Sequence, residues 1–320
     1  SAPTVALTAS ANTTTATSAL TGAPRVYIST NGAATGESDS WSNGGAITDS
    51  TSGLSLTALR DLAISPPVSG IRHIATAGQK TGGLPGVFTL NMGGTIAGWT
   101  DVTGFAGGAL LGGSNAVYTV AFSPNWLADR VLVAISNTST DFKTYLNVAR
   151  LLTATTGSWN VIAGFTEYTG VGVSNGLIST AATALRTAEI ALAPTYLGTD
   201  PASRIAFVAI DVGADVGSGI FRMEDAMRNL IQPADLRFRS VAYRGTDLIA
   251  GRADVNNVYR TSNPLATTAN ATDITDQFQR PAGGTGGAAP TGTKVAFAGT
   301  SILAATEGNE SALSRSTDSG

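Results

Sequence analysis

One short phrase recurs along the chain, and it limits the fold more than any other feature. It is an alternating apolar run followed by a small residue and often by a proline. The copies are Thr4-Val5-Ala6-Leu7-Thr8-Ala9, Asp61-Leu62-Ala63-Ile64-Ser65-Pro66, Thr119-Val120-Ala121-Phe122-Ser123-Pro124 and Glu189-Ile190-Ala191-Leu192-Ala193-Pro194. Weaker copies are Ser240-Val241-Ala242-Tyr243-Arg244-Gly245 and Lys294-Val295-Ala296-Phe297-Ala298-Gly299. Counted at the fifth residue of each, they follow one another by 57, 58, 70, 51 and 54 residues. Strict alternation over four or more residues marks a strand rather than a helix.

Repeats of about 50–60 residues with strand content point to propeller blades, because helical repeats run shorter and lack the two-residue period. A second apolar run follows the first in the second to sixth units. Two copies of it match closely: Asn125-Trp126-Leu127-Ala128-Asp129-Arg130 before Val131–Ala134, and Thr195-Tyr196-Leu197-Gly198-Thr199-Asp200 before Arg204–Ala209. The expected fold is therefore all-β: one β-propeller of about six blades, each a four-stranded antiparallel sheet. Blades are expected near 4–58, 59–111, 112–180, 181–234 and 235–290, with a partial sixth over 291–320. The apolar pairs of each copy, such as Val120 with Phe122, should pack on a neighbouring blade. Phe221–Ile231 is the only stretch that reads as a short helix, and it fits a strand and loop equally well. Ala282–Thr293 is low in complexity and reads as a connection between blades.

A third run in several units leads into a turn and then a tryptophan. Ser29, Asn31 and Gly32 precede Trp41; Asn91 and Gly93 precede Trp99; Thr155 and Gly157 precede Trp159. The chain stops on Ser316-Thr317-Asp318-Ser319-Gly320. This Ser-x-Asp-x-Gly resembles the Asp-box, or BNR, turn of sialidase-like and VPS10/sortilin-like β-propellers. The phrase around Ser123-Pro124-Asn125-Trp126 also resembles repeats in large surface proteins of environmental bacteria. In such a turn a short polar side chain accepts backbone N–H bonds and glycine supplies a positive φ; the tryptophan is expected between blades. The sequence ends inside such a turn, so the expectation is that the native chain continues.

Composition excludes several functions. There is no cysteine, hence no disulfide or thiolate metal site, and His73 is the sole histidine. Charged residues are only 13%, the net charge is −3, and lysine occurs three times. No basic face is available to neutralise phosphates, so nucleic acid is excluded as a partner. The surface must be neutral and polar, with 44 Thr and 28 Ser to cover it. No stretch of 18 apolar residues occurs, so no transmembrane helix is expected. This balance suits an extracellular, secreted or cell-surface protein.

No catalytic residues are evident. The sialidase branch of the resemblance implies an arginine triad drawn from several blades and a Tyr–Glu pair. Glu167 and Tyr168 are adjacent and point to opposite faces of a strand, and Arg237, Arg239, Arg244, Arg252 and Arg260 all fall in one blade. His73 reads as a packed residue and Trp126 as a turn aromatic closing a blade. No cofactor is expected; Ca²⁺ is conceivable at Asp273/Asp276 or Glu307/Glu310. Sequons at Asn12, Asn137, Asn270 and Asn309 offer glycosylation sites. The resulting expectation is a non-catalytic surface module that binds other protein subunits or glycans and forms oligomers or polymers. The alternative is a glycoside-acting hydrolase of the same fold. Acidic residues from different blades converging in a central pocket would separate the two.

Overall fold

The computed structural model describes residues 6–10, 24–29, 41–93, 98–105, 110, 113–153, 156–161, 177–180, 183–225, 227–275, 278, 292–307 and 312–316. Within them the chain folds into six antiparallel sheets, each built from consecutive strands. The first holds Ala6–Ser10, Arg25–Ser29 and Trp41–Ala46. The second holds Leu56–Ile64, His73–Lys80, Leu84–Asn91 and Thr100–Asp101. The third holds Ala116–Phe122, Val131–Asn137, Thr144–Leu151 and Gly157–Trp159, and Leu177–Ser179 also pairs with its third strand. The fourth holds Thr187–Leu192, Ile205–Asp211, Gly219–Glu224 and Met227–Ile231. The fifth holds Phe238–Arg244, Asp247–Arg252, Val258–Thr261 and Thr272–Asp273. The sixth holds Gly292–Ala298, Ser301–Glu307 and Leu313–Ser316. Four strands were expected in each of the first five; among the described residues the first has three and the third has five.

Each repeated phrase lies in the first strand of a sheet or at its edge, and its alternation sets which neighbour the strand packs on. Val120 and Phe122 join Ala75, Ala77 and Val87 of the second sheet in one buried cluster. Val131, Val133 and Ile135, on the other face of the third sheet, meet Ala206, Val208 and Ile210 of the fourth. The second strand of the third sheet is thus covered on both sides, which is why Val131–Asn137 is buried at every position. Similar clusters join the first sheet to the second, the fourth to the fifth and the fifth to the sixth. Sheets stacked face to face in chain order are the blades of a β-propeller.

The second phrase builds a polar clamp between blades. Pro124 stops the first strand, and Trp126–Asp129 makes a single helical turn that ends on Arg130 at φ 55°. This buries Asp129 completely. Its Oδ2 accepts from Ser123 Oγ at 2.7 Å and from the Gly198 amide of the fourth blade at 2.8 Å; its Oδ1 accepts from Val131 N at 3.1 Å. Gly198 fits there because a Cβ would fall 2.3 Å from Val131 Cγ2.

Phe221–Ile231 is not helical. It is the hairpin joining the third and fourth strands of the fourth sheet, with Phe221 opposite Leu230, and Asp225 takes the turn at φ 57°. Met, Glu and Arg there favour a helix locally, but strand pairing, with Phe221 and Met223 buried towards the third blade and Ile220 and Ile231 towards the fifth, overrides that preference.

Candidate active site in the axial channel

The first residue of the repeated phrase is polar in every copy, and the fold brings those of the second to sixth blades to the centre. Asp61, Thr119, Glu189, Ser240 and Lys294 head the phrase in the second to sixth blades. Asp61 Oδ2 accepts from Thr119 Oγ1 at 2.6 Å and from Val120 N at 3.0 Å. Ser240 Oγ donates to Thr293 O at 2.9 Å and accepts from Val295 N at 3.1 Å. Lys294 Nζ reaches across from the sixth blade to Glu189 Oε2 of the fourth, 2.5 Å away. This contact joins the first strands of two non-adjacent blades, as convergence of first strands on an axis requires.

Around this ring lies a cavity of about 230 Å³ lined by Arg60, Tyr118, Arg186, Thr187, Ala188, Arg239 and Lys294. Three of these residues share one backbone device. In the second blade Leu59 pairs with Gly78 and Asp61 with Ala77, which leaves Arg60 as an extra residue. Tyr118 is the extra residue between Val117 and Thr119, and Arg239 the one between Phe238 and Ser240. Each is a β-bulge immediately before the head of the phrase. A bulge takes one residue out of the ladder and re-aims its side chain. The Arg60 guanidinium lies 4.1 Å from the centre of the Tyr118 ring, and Arg239 forms an ion pair with Glu307.

Burial raises the Asp61 carboxyl above its ordinary pKa; bonds from Thr119 and Val120 and the charge of Lys294 oppose the shift without cancelling it. Glu189 is also raised, again first by burial, with Lys294 opposing and the Asp61 charge adding to the rise. The two carboxyls, from the second and fourth blades, thus sense each other and share Lys294. A carboxyl raised in the folded state stabilises the fold fully below its unfolded pKa, and that contribution is lost as pH rises through the folded value. Asp61→Asn keeps both accepted bonds and removes the titration. Its melting temperature should gain on the parent steadily as pH rises from about 4, the unfolded value of aspartate, towards neutrality. A constant difference across that range would show that Asp61 is not raised.

The residues singled out by sequence fall elsewhere. Asn91 accepts the Gly93 amide at 2.9 Å. Trp99 and Trp159 are buried between blades, and Trp159 Nε1 donates to Val102 O at 2.7 Å. Gly157 is close-packed, since a Cβ would lie 2.6 Å from Arg150 O. Ser29 lies at the end of the second strand of the first sheet, Trp41 at the start of its third, and Ser316 at the end of the last strand of the sixth. Asn31, Gly32, Thr155, Asp318 and Gly320 lie outside the described residues, as do Glu167, Tyr168, Asp276, Glu310 and the sequons at Asn12 and Asn309. The sequon at Asn137 is corrected: its side chain is buried and its amide donates to Phe142 O, Lys143 O and Thr144 Oγ1, each at 3.1 Å, so no glycan fits. Asn270 is exposed.

Trp126 is buried against Phe122 and His73, with ring centres at 4.7 and 5.5 Å. His73 is lowered by burial and by the charge of Arg130. Of the clustered arginines, Arg237 pairs with Asp211, Arg244 and Arg260 with Asp247, and Arg252 with Asp254; only Arg239 reaches the channel. Asp273 is occupied by Thr275 and Asn257. Among the described residues no three His, Cys, Asp or Glu side chains gather to hold a metal, and no helix is long and apolar enough to cross a membrane.

No family model matches the chain, and no curated protein sequence matches it. Solved structures do. The GH74 xyloglucanase of Xanthomonas campestris superposes over 92% of this chain with a TM-score of 0.54 and 16% identity. The chain spans only 41% of that enzyme's length. The α-L-arabinofuranosidase Arb93A of Fusarium graminearum matches over 91% of this chain and 84% of its own, with a TM-score of 0.46 and 10% identity. The expectation of a non-catalytic surface module with no catalytic set is thereby corrected: the neighbour that superposes with a TM-score above 0.5 is a glycoside hydrolase, and carboxylates from different blades converge at the axis. At these identities the likeness shows the fold, and the chain is a β-propeller.

Proposed function

We propose that the chain is a glycoside-acting propeller whose chemistry lies in the axial channel. The observation that supports this best is the pair Asp61 and Glu189, drawn from two blades and both raised by burial around one lysine. Glycoside hydrolysis needs one carboxylic acid to protonate the leaving oxygen and one carboxylate to act as base or nucleophile. Asp61, held by Thr119 and Val120 and without a direct ion pair, suits the acid. Glu189, held by Lys294, suits the carboxylate. The xyloglucanase fold match supports a glycan as substrate. Within this reading the six sheets are one propeller domain, its turns are of the Asp-box kind, as the Asn91–Gly93 bond suggests, and the protein works outside the cell, where a lysine-poor surface and exposed sequons such as Asn270 are at home. The test is release of reducing sugar from a panel of neutral and acidic polysaccharides, run beside Asp61→Asn. Turnover by the parent that the variant lacks is the expected result. No release from any glycan would overturn the reading.

A further inference from the structure

We propose that one end of the fourth blade carries a separate glycan site, a cavity that takes a neutral sugar through its hydroxyl groups. The cavity measures about 410 Å³ and is lined by Pro201, Ala202, Ile205, Glu224 and Asp225. It shares no residue with the axial cavity, and the proposal does not depend on the chemistry assigned there. Its size falls among small-molecule sites, about 300–1,000 Å³. Pro201 and Ala202 stand in the loop between the first two strands, and Ile205 opens the second. Glu224 ends the third strand, and Asp225 takes the turn that follows. Among the described residues two buried polar atoms here have no hydrogen-bond partner. Asp225 is 6% exposed; its Oδ1 accepts from Arg204 Nη1 at 2.8 Å, while Oδ2 accepts nothing. The hydroxyl of the buried Tyr196 is the second such atom. Burial raises that phenol, and the charges of Arg204, Asp129 and Asp225 act on it, so the two atoms belong to one neighbourhood. A buried polar atom without a partner costs stability. A purely structural ion pair would use both carboxylate oxygens.

Charge decides what can fill the cavity. Arg204 neutralises Asp225, and Arg222 Nε lies 3.0 Å from Glu224 Oε1. Both arginines are buried. The two carboxylates therefore offer lone pairs but little net charge, which disfavours a free cation. Calcium would want about six to eight oxygens, and among the described residues no three His, Cys, Asp or Glu side chains gather here. A hydroxyl meets the need. It donates to a carboxylate oxygen without importing charge, and such charge-assisted bonds are the stronger kind. Pro201, Ala202 and Ile205 supply an apolar wall for the C–H face of a sugar ring. Pro201, Ala202 and Glu224 are exposed, so a ligand can enter from solvent. Glu224 Oε2 accepts from Asn229 Nδ2 at 3.3 Å, which steadies the carboxylate at that entrance.

Calorimetry on the whole chain tests this with cellotriose, xylotriose and mannotriose, and with n-butylammonium as the cationic probe. It is run on the parent and on Asp61→Asn, so that binding is read apart from turnover. At least one trimer should bind both proteins, with an affinity unchanged from about 50 to about 500 mM salt, because a neutral ligand is not screened. Ala202→Trp, at an exposed loop position, fills the cavity and should weaken that binding at least about tenfold. Asp225→Asn keeps an acceptor for Arg204 but replaces the unpartnered oxygen by a donor, and it should lose about as much. Melting curves check folding, and Ala202→Trp carries the test alone where Asp225→Asn does not fold. Polysaccharide turnover by the parent should survive Ala202→Trp unchanged. Trimer binding that is absent, or indifferent to Ala202→Trp, overturns the proposal. Butylammonium binding more tightly than every trimer, and weakened by salt, overturns the neutral assignment. The two readings fail separately: trimer binding lost in Ala202→Trp without any hydrolysis sinks the catalytic reading alone, and hydrolysis with binding indifferent to Ala202→Trp sinks this one alone.

Discussion

Glu189→Gln is expected to cut turnover by about 10²–10⁴-fold, the range for loss of a positioned acid or base. Glutamine keeps the volume and can still accept from Lys294, so the fold should persist and the melting temperature should change little. The loss should appear in kcat with KM nearly unchanged, because the amide still fills the same space. A companion variant separates chemistry from mere charge balance. Lys294→Met removes the charge that opposes the rise of both Glu189 and Asp61. The carboxyl pKa values then climb, and the acid limb of the pH–rate profile should move to higher pH. An unmoved limb, or a Glu189→Gln protein as active as the parent, would remove the channel pair from the mechanism.

Asp129→Ala should carry the largest stability loss of any single change outside the channel, about 3–5 kcal/mol. Removing the carboxylate takes the acceptor from the buried amides of Val131 and Gly198 and leaves the Ser123 hydroxyl only its longer contact with Tyr196 O. Two blades lose their shared acceptor at once. The melting temperature should fall by about 5–15 °C. Asp129→Asn keeps part of the acceptor set and should lie between. Leu127→Ala, two residues away and 67% exposed, should shift stability by less than about 0.5 kcal/mol. Equal melting of Asp129→Ala and the parent would show that the clamp is dispensable.

Much of the architecture is legible in the phrase itself. Alternation in Val120-Ala121-Phe122 sets the strand and its apolar face, and six copies set the number of sheets seen. The channel is legible too: Asp61, Thr119, Glu189, Ser240 and Lys294 all stand where alternation would tolerate any residue, and all are polar. What no local pattern reveals is the bulge. Nothing in Leu59-Arg60-Asp61 or Phe238-Arg239-Ser240 marks an unpaired residue, because a bulge is a property of two strands in register, not of one. The arginines of the fifth blade therefore looked like one cluster, whereas pairing disperses four of them to Asp211, Asp247 and Asp254 and sends Arg239 alone inward. The Asn137 sequon was misleading for a related reason: its motif is local, while its burial comes from three bonds to the next turn.

The bulged positions have an evolutionary consequence. Because Arg60, Tyr118 and Arg239 stand outside the strand ladders, exchanging them perturbs no backbone pairing, and their neighbours in sequence continue to hold the blades together. Descendants of such a chain can change what the channel accepts by drift at three sites, with little cost in foldability. A designer can do the same, randomising those three codons on an otherwise constant scaffold and selecting for new ligands.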